Sequence, residues 1–153
     1  MAERRTFSKA HGLAGLRVGY AVGHPDLVAA FGRVRNHFGV GRLAQAAALA
    51  ALADDAWLGA VRARVEASRA AIAAIAEANG LAALPSATNF VAVDCGRDGA
   101  FARALVRALG ERGVFVRMPG VAPLDRCVRV SCGPEAEMAV LRDVLPRAVA
   151  AIS

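Results

Sequence analysis

One lysine is the candidate reactive group of this sequence. Lys9 is the only lysine among the 19 lysine and arginine residues of the 153-residue chain. A lysine amine can lose its proton and attack a carbonyl carbon, whereas an arginine guanidinium stays protonated and forms no Schiff base. Because every other basic position of this kind is arginine, Lys9 is a candidate nucleophile. The alternative is a solvated charge in a loop.

The residues around Lys9 are of types that bind phosphate. Ser8 supplies an adjacent hydroxyl, and Arg17 supplies a guanidinium eight residues further on. Gly12 and Gly15 allow the backbone to approach a ligand closely. An amine nucleophile beside a phosphate site suggests pyridoxal phosphate, whose aldehyde reacts with a lysine. In the alternative interpretation, Arg17 pairs with a nearby acid or with nothing.

A second candidate is an arginine in the middle of a predicted strand. Arg129 lies between Val128 and Val130, with no acidic residue beside it. Strand alternation places the valines on one face and Arg129 on the other, together with Cys127 and Ser131. A guanidinium at this position must be solvated, stacked or paired with an anion, and its planar fork suits a carboxylate. The alternative is an ordinary arginine of an edge strand.

The first half of the chain predicts one strand and three helices. Residues 17–22 alternate in polarity and predict a strand that leaves the lysine segment. A helix with Pro25 in its first turn follows, and another is expected over 42–52. A longer helix begins after the cap residue Asp54 and ends at Gly80. The apolar residues at helical spacing are Leu27, Val28, Phe31 and Val34 in the first helix, and Trp57, Leu58, Val61, Val65, Ile72 and Ile75 in the long one.

The second half predicts a small α/β unit. The expected strands cover 89–94, 114–116 and 127–131, and the expected helices cover 99–109 and a segment that opens at Pro134. Arg117 ends the second of these strands, and a loop with two prolines follows it. Pro146 is expected to kink or end the final helix, because proline removes a backbone donor.

Composition excludes several classes of protein. With 56% hydrophobic residues the chain is not disordered, and its length suffices for a real core. Arginines interrupt each long apolar stretch and no secretory signal is recognisable, so we expect a cytoplasmic protein without a membrane span. The net charge of +6 would suit nucleic acid, but the arginines recur singly and aromatic residues are only 5%. Nucleic-acid binding is therefore not expected.

No metal site is expected either. The three cysteines have no metal-ligand spacing and are predicted to be buried thiols: Cys95, Cys127 and Cys132. The three histidines lack partner spacing as well. His11 is the closest to Lys9, and we expect it to make a contact within the loop.

The segment around Lys9 resembles the lysine segment of the class I/II pyridoxal-phosphate aminotransferases of fold type I, particularly the histidinol-phosphate aminotransferase branch. The shared pattern is a Ser-Lys pair followed by Gly-Leu-Arg-x-Gly-Tyr, here Ser8–Lys9 and Gly15–Tyr20. Cys127–Gly133 is similar to the family's Leu-Arg-(Ile/Val)-(Ser/Thr)-x-Gly segment, and Asn89–Phe90 to an Asn-Phe pair at the first strand of the small domain. The resemblance covers nearly the whole chain but only the carboxyl-terminal part of the family's usual length.

The resemblance implies a role for each candidate residue. Lys9 would hold pyridoxal 5'-phosphate and then act as general base and acid, and Ser8 and Arg17 would hold the cofactor phosphate. Arg129 would bind the α-carboxylate of the substrate. Arg117 would contact the substrate phosphate or another distal anion. The Asn-Phe pair is interpreted as packing and strand entry.

The resemblance also implies an α/β fold in three parts. Residues 1–53 would be the end of a large cofactor domain, 54–84 a long interdomain helix with its linker, and 85–153 a small carboxyl-terminal α/β domain. This sequence has no counterpart of three features of the family: the glycine-rich phosphate loop, the aromatic residue that stacks on the cofactor ring, and the acid that pairs with the ring nitrogen. One side of the large-domain sheet would then be absent, so we expect exposed apolar surface. A homodimer, or a complementing amino-terminal half, is the expected partner.

The implied activity is transfer of an amino group between an amino-acid or amino-phosphate substrate, similar to histidinol phosphate, and a 2-oxo acid. The isolated chain is expected to be inactive. The alternatives on the same scaffold are an aromatic or broad-specificity aminotransferase and a pyridoxal-phosphate decarboxylase. An alternative of another class is a non-catalytic chain that acts only by association with a partner.

Overall fold

The computed structural model describes residues 3–153, without the side chain of Arg4. The chain divides into two compact units, Met1–Arg62 and Ala63–Ser153, which are described separately below. Helices and small sheets make up both units, so the predicted α/β class is confirmed. The predicted three-part domain division stays a prediction.

Unit 1 consists of a β-hairpin and helices. Its elements are β1 (Glu3–Thr6), β2 (Gly19–Val22), α1 (Pro25–Val34), α2 (Arg42–Leu52) and the beginning of α3 (Asp55–Ala78). His24 caps α1 by accepting a hydrogen bond from the Asp26 amide at 3.3 Å, and Pro25 opens the helix, as predicted. The predicted bounds of the helix over 42–52 are confirmed.

The hairpin of β1 and β2 requires a glycine. The strands are antiparallel, with Glu3 opposite Val22 and Thr6 opposite Gly19. A Cβ at Gly19 would lie 2.6 Å from the carbonyl oxygen of Arg5, which is too close for any other residue. The strand predicted over 17–22 starts only at Gly19, since Arg17 has a left-handed backbone with φ 51°, and the sequence does not predict its partner β1.

Unit 1 buries little apolar surface. Its core comprises only Phe7, Val18, Ala44 and Ala48 among the described residues. The apolar stripe predicted for α1 faces solvent. The large apolar side chains that are exposed in unit 1 are Tyr20, Val22, Leu27, Val28, Phe31, Val34, Phe38, Val40, Leu43, Leu49, Leu52 and Trp57.

The buried face predicted for the long helix α3 is partly wrong. Ile72 and Ile75 are buried as predicted. Trp57 is instead 47% exposed, and the other predicted positions before Ile72 are only half-buried. Amphipathic spacing identifies a face of the helix but does not say what covers it.

Unit 2 packs two helices and the end of α3 against a three-stranded sheet. Its elements are β3 (Ala82–Ala83), β4 (Phe90–Asp94), α4 (Gly99–Gly110), β5 (Cys127–Ser131) and α5 (Glu135–Ala150). The strand order is β3-β4-β5 and both pairings are antiparallel. One apolar cluster fills the space between sheet and helices, and its most deeply buried members include Ile72, Leu105, Leu109 and Val128.

One predicted strand of unit 2 is wrong. Residues 114–116 form no strand, and the Val114 amide instead closes α4 by bonding to the Leu109 carbonyl at 2.9 Å. Among the described residues, Arg117 alone pairs with β5 at this edge, in a single bridge to Arg129. Pro146 is predicted to kink or end the final helix; the helix does not end there but continues to Ala150. Buried side chains on both sides of the proline offset the lost hydrogen bond.

The cysteines are largely buried, as predicted. Cys95 and Cys127 are buried, and Cys132 is half-buried. Burial raises the pKa of Cys95 to about 11 and also raises the pKa of Cys127 and Cys132, which disfavours the thiolate form of each. Within residues 3–153, no group of three or more His, Cys, Asp or Glu side chains is placed to hold a metal, and no helix is long and apolar enough to cross a membrane.

Gly19→Ala is expected to lower the free energy of unfolding of unit 1 by about 1–3 kcal/mol, because the new Cβ collides with the Arg5 carbonyl. The matched control is Gly15→Ala, where no described atom lies within 4 Å of the new Cβ. The control should change stability by less than about 0.5 kcal/mol. Chemical denaturation followed by the fluorescence of Trp57, the single tryptophan, measures both. Equal stabilities of the two variants would contradict the prediction.

Candidate functional site

Residues 7–18, which we call the lysine turn, are closed by backbone hydrogen bonds. The Phe7 amide donates to the Val18 carbonyl at 3.3 Å, and the Leu13 amide donates to the Phe7 carbonyl at 2.9 Å. Inside this frame, the Gly12 amide donates to the Lys9 carbonyl at 2.9 Å. Gly12 has φ +70°, a value that favours glycine. The turn therefore has a shape defined by its own backbone.

Aromatic packing stabilises the lysine turn. Phe7 is only 3% exposed, and its ring centroid lies 4.9 Å from that of His11 and 5.8 Å from that of Tyr20. His11 thus makes a contact within the loop. Its Nδ1 atom is buried and has no hydrogen-bond partner among the described residues.

A hydrogen bond from Trp57 of α3 also stabilises the lysine turn. Its indole Nε1–H donates to the Ala10 carbonyl at 3.0 Å. The Trp57 amide donates to the side chain of Asp54 at 2.8 Å, which caps α3 as predicted and fixes its first turn. The sequence analysis missed this role. A single tryptophan at the start of a helix was the available signal, but it was interpreted as core.

Ser8, Lys9 and Arg17 all lie in the lysine turn. Lys9 is exposed, and no carboxylate of the described residues lies within ion-pair distance of its amine. Ser8 is half-buried, and its amide donates to the Thr6 hydroxyl at 3.1 Å. The amine is thus free of an acidic partner and accessible to a ligand.

Arg17 has a strained backbone. Its φ of 51° lies in the left-handed region, where a residue with a Cβ costs about 1–2 kcal/mol. Its guanidinium donates through Nη1 to the Ala14 carbonyl at 2.6 Å and is otherwise exposed. A guanidinium has five N–H donors, so this contact leaves donors for an anion. Strain at a residue other than glycine often marks a functional position.

These residues fit a phosphate-bearing aldehyde. An accessible amine without an acidic partner can condense with a carbonyl group, and a hydroxyl with an exposed guanidinium can bind phosphate. The observations that support this fit are the exposure of Lys9 and the free edge of the Arg17 guanidinium.

The other two candidates meet in unit 2. The Arg129 amide donates to the Arg117 carbonyl at 2.6 Å, and the Arg117 amide donates back at 3.2 Å. Residues opposite each other in such a pair project to the same face of the sheet. The Arg129 guanidinium lies over the Phe90 ring, with its Cζ 4.9 Å from the ring centroid. Its Nε is buried and has no acceptor among the described residues.

The structure therefore groups the predicted site residues in two sets. Ser8, Lys9 and Arg17 share one turn of unit 1, and Arg117 and Arg129 are neighbours in unit 2. The Asn-Phe pair is predicted to serve packing and strand entry, and the Phe90 ring in addition contacts a candidate binding group.

Comparison with known proteins shows that both groups of candidate residues lie in a segment that matches one family. A family model described as aminotransferase class I and II matches residues 2–145. The chain is 43% identical over 145 residues to the histidinol-phosphate aminotransferase of Gluconacetobacter diazotrophicus, an alignment that covers 92% of this chain and 40% of that protein. It is 44% identical over 154 residues to histidinol-phosphate aminotransferase 2 of Ralstonia nicotianae, an alignment that covers 96% of this chain and 40% of that protein.

Solved structures agree with this relationship. Histidinol-phosphate aminotransferase from Sinorhizobium meliloti, crystallised with pyridoxal-5'-phosphate, superposes with a TM-score of 0.95 and 52% identity over 99% of this chain and 42% of that one. Histidinol-phosphate aminotransferase from Clostridium acetobutylicum superposes with a TM-score of 0.88 at 17% identity, over 98% of this chain and 46% of that one. This likeness shows the fold alone. The chain spans about two fifths of the length of the curated relatives it matches. It belongs to the class I and II aminotransferase family and is similar to the histidinol-phosphate aminotransferases within it.

Proposed function

We propose that this chain provides the cofactor lysine and the substrate-binding arginines of a pyridoxal-phosphate-dependent aminotransferase. The reaction would transfer an amino group between an amino-acid or amino-phosphate substrate, similar to histidinol phosphate, and a 2-oxo acid. The observation that carries the proposal is the accessible amine of Lys9 in a turn closed by backbone bonds, within the segment that matches the family.

In this proposal the lysine turn binds the cofactor. Pyridoxal phosphate, when bound, supplies an electron sink that stabilises negative charge at the substrate Cα. Ser8 and Arg17 bind its phosphate through a hydroxyl and a guanidinium. Lys9 would hold the cofactor through its Nζ, and its amine, when free and unprotonated, would take the proton from the substrate Cα as general base. Because Lys9 has no acidic partner in the described chain, no ion pair must break before its amine reacts.

Arg117 and Arg129 are proposed to bind the anionic groups of the substrate. Like charges directly opposite each other in a sheet destabilise it, so an anion between them would relieve the repulsion. The buried Nε of Arg129 lacks an acceptor in the described chain, which a carboxylate or phosphate oxygen would supply. Arg117 is exposed and would bind the more distal anion.

The active assembly is proposed to contain more than this chain. Unit 1 exposes twelve large apolar side chains around a core of four described residues, and monomeric proteins rarely leave such patches uncovered. The relatives contain about three fifths of their length outside the matched part. An amino-terminal portion of this kind, or a second copy of the chain, would cover the patch. A non-catalytic chain that acts by association alone is the second candidate, and the same exposed surface favours it.

Reductive trapping tests the role of Lys9. The chain is incubated with pyridoxal phosphate and reduced with borohydride, and peptide mass spectrometry locates the covalent adduct. We expect an adduct on Lys9 that inorganic phosphate suppresses, since the phosphate site provides much of the binding. Lys9→Arg is the matched control, because it keeps the charge and cannot condense with an aldehyde. Labelling confined to the chain's amino terminus would contradict the proposal and favour the non-catalytic candidate.

Replacement of Arg117 tests the substrate assignment. Arg117→Gln should weaken binding of histidinol phosphate about tenfold, because a dianion loses one charge-assisted hydrogen bond. Binding of pyruvate, which has a single carboxylate, should weaken less than about threefold. NMR titrations that follow the Nε–H signal of Arg129 measure both affinities. Equal weakening of the two ligands would contradict a distal-anion role for Arg117.

A further inference from the structure

We propose that Phe90 is a positioning residue for Arg129. Its ring fixes the plane of the guanidinium and thereby the direction in which Arg129 presents its N–H donors to a carboxylate. This inference deepens the proposed function and rests on the carboxylate-binding role of Arg129. It gives an aromatic side chain at the strand entry a part in substrate recognition.

The register of the sheet brings the two side chains together. Phe90 lies opposite Ser131 and Ala92 lies opposite Arg129, so Phe90 and Arg129 are diagonal neighbours on one face. The methyl group of Ala92 leaves room directly across the strand from Arg129. The long arginine side chain can therefore lean over the ring, where its Cζ lies 4.9 Å from the centroid.

The contact with the ring does not use the N–H donors of the guanidinium. A ring face attracts a cation through its negative quadrupole and accepts none of the N–H groups that bind a carboxylate. The Nε–H of Arg129 is buried and lacks an acceptor in the described chain, so the guanidinium beside the ring still has an unpaired donor. A flexible arginine would lose side-chain entropy on binding, whereas a stacked one has lost part of it beforehand.

The backbone of Phe90 is itself held on both sides. Its carbonyl accepts hydrogen bonds from the Ser86 hydroxyl at 2.6 Å and the Thr88 hydroxyl at 3.1 Å, and its amide donates to Thr88 Oγ1 at 3.3 Å. The Arg69 guanidinium donates to the Thr88 carbonyl at 3.0 Å. These bonds connect α3 to the start of β4 and fix the position from which the ring projects.

Packing alone does not explain the ring. Phe90 is half-buried and belongs neither to the described core cluster of unit 2 nor to the apolar residues packed around it. Its ring lies beneath the Arg129 guanidinium. Replacing the ring should therefore change Arg129 more than it changes the stability of the fold.

A double-mutant cycle with the full chain tests the inference. The variants are Phe90→Leu, Phe90→Tyr and Arg129→Lys, and the ligand is 2-oxoglutarate, titrated by NMR with thermal unfolding as a check on folding. We expect Phe90→Leu to weaken binding roughly fivefold and to increase the mobility of the Arg129 Nε–H group. Phe90→Tyr, which keeps the ring face, should bind like the wild type. In the Arg129→Lys background, Phe90→Leu should have no further effect, because the stacked group is absent.

The outcomes separate this inference from the proposed function. If the wild type and Arg129→Lys bind 2-oxoglutarate equally, Arg129 is no carboxylate receptor, and the proposed function and this inference both fail. If Arg129→Lys weakens binding while Phe90→Leu leaves both affinity and Arg129 mobility unchanged, only the positioning role is overturned. The positioning role is also overturned if Phe90→Leu weakens binding equally in the wild type and in Arg129→Lys, since equal effects indicate a loss of general packing.

Discussion

The close approach of two backbones in the β1–β2 hairpin is the constraint on which the lysine turn depends. Only a glycine fits at Gly19, because its Cα faces the Arg5 carbonyl at a distance that excludes a Cβ. The lysine turn begins and ends at this hairpin, and the bond from the Phe7 amide to the Val18 carbonyl closes it. Lys9 is therefore presented on a short, backbone-bonded frame. The conformational entropy of this backbone segment is lost when the hairpin forms, whereas the exposed side chain of Lys9 keeps its own.

The arginines of unit 2, like Lys9, lie on backbone that is held by hydrogen bonds. Arg129 lies on a central position of β5, and the Phe90 ring holds its guanidinium while the Nε remains without an acceptor in the described chain. Arg117 is fixed beside it by two backbone bonds. In both units, cationic groups with no carboxylate partner among the described residues are held on hydrogen-bonded backbone, which suits ligands that bring the negative charge. Unit 1 also exposes large apolar side chains, a kind of surface that often binds a partner.

The sequence singles out candidate groups, but it does not reveal the contacts that hold them in place. Residue type makes Lys9 and Arg129 candidates, since few other side chains form a Schiff base or bind a carboxylate through two hydrogen bonds, and the family resemblance implies their roles, which stay predictions. The contact of Phe90 with Arg129 is not predicted by the sequence, because a diagonal contact depends on a strand register that composition does not specify. Trp57 was placed in the core, since helical spacing does not reveal that an indole N–H bonds to the Ala10 carbonyl. The strand expected around Phe115 failed because the neighbouring amide closes a helix instead.

Native-state hydrogen exchange of the lysine turn tests most directly whether the chain preforms the proposed cofactor site. The account predicts slow exchange at the amides of Phe7 and Leu13, whose hydrogen bonds close the turn, with protection similar to that of the hairpin amide of Tyr20. Fast exchange at Phe7 and Leu13, with the helices still protected, would contradict it. The turn would then lack a fixed shape in this chain, and Lys9 would depend on a partner for its position.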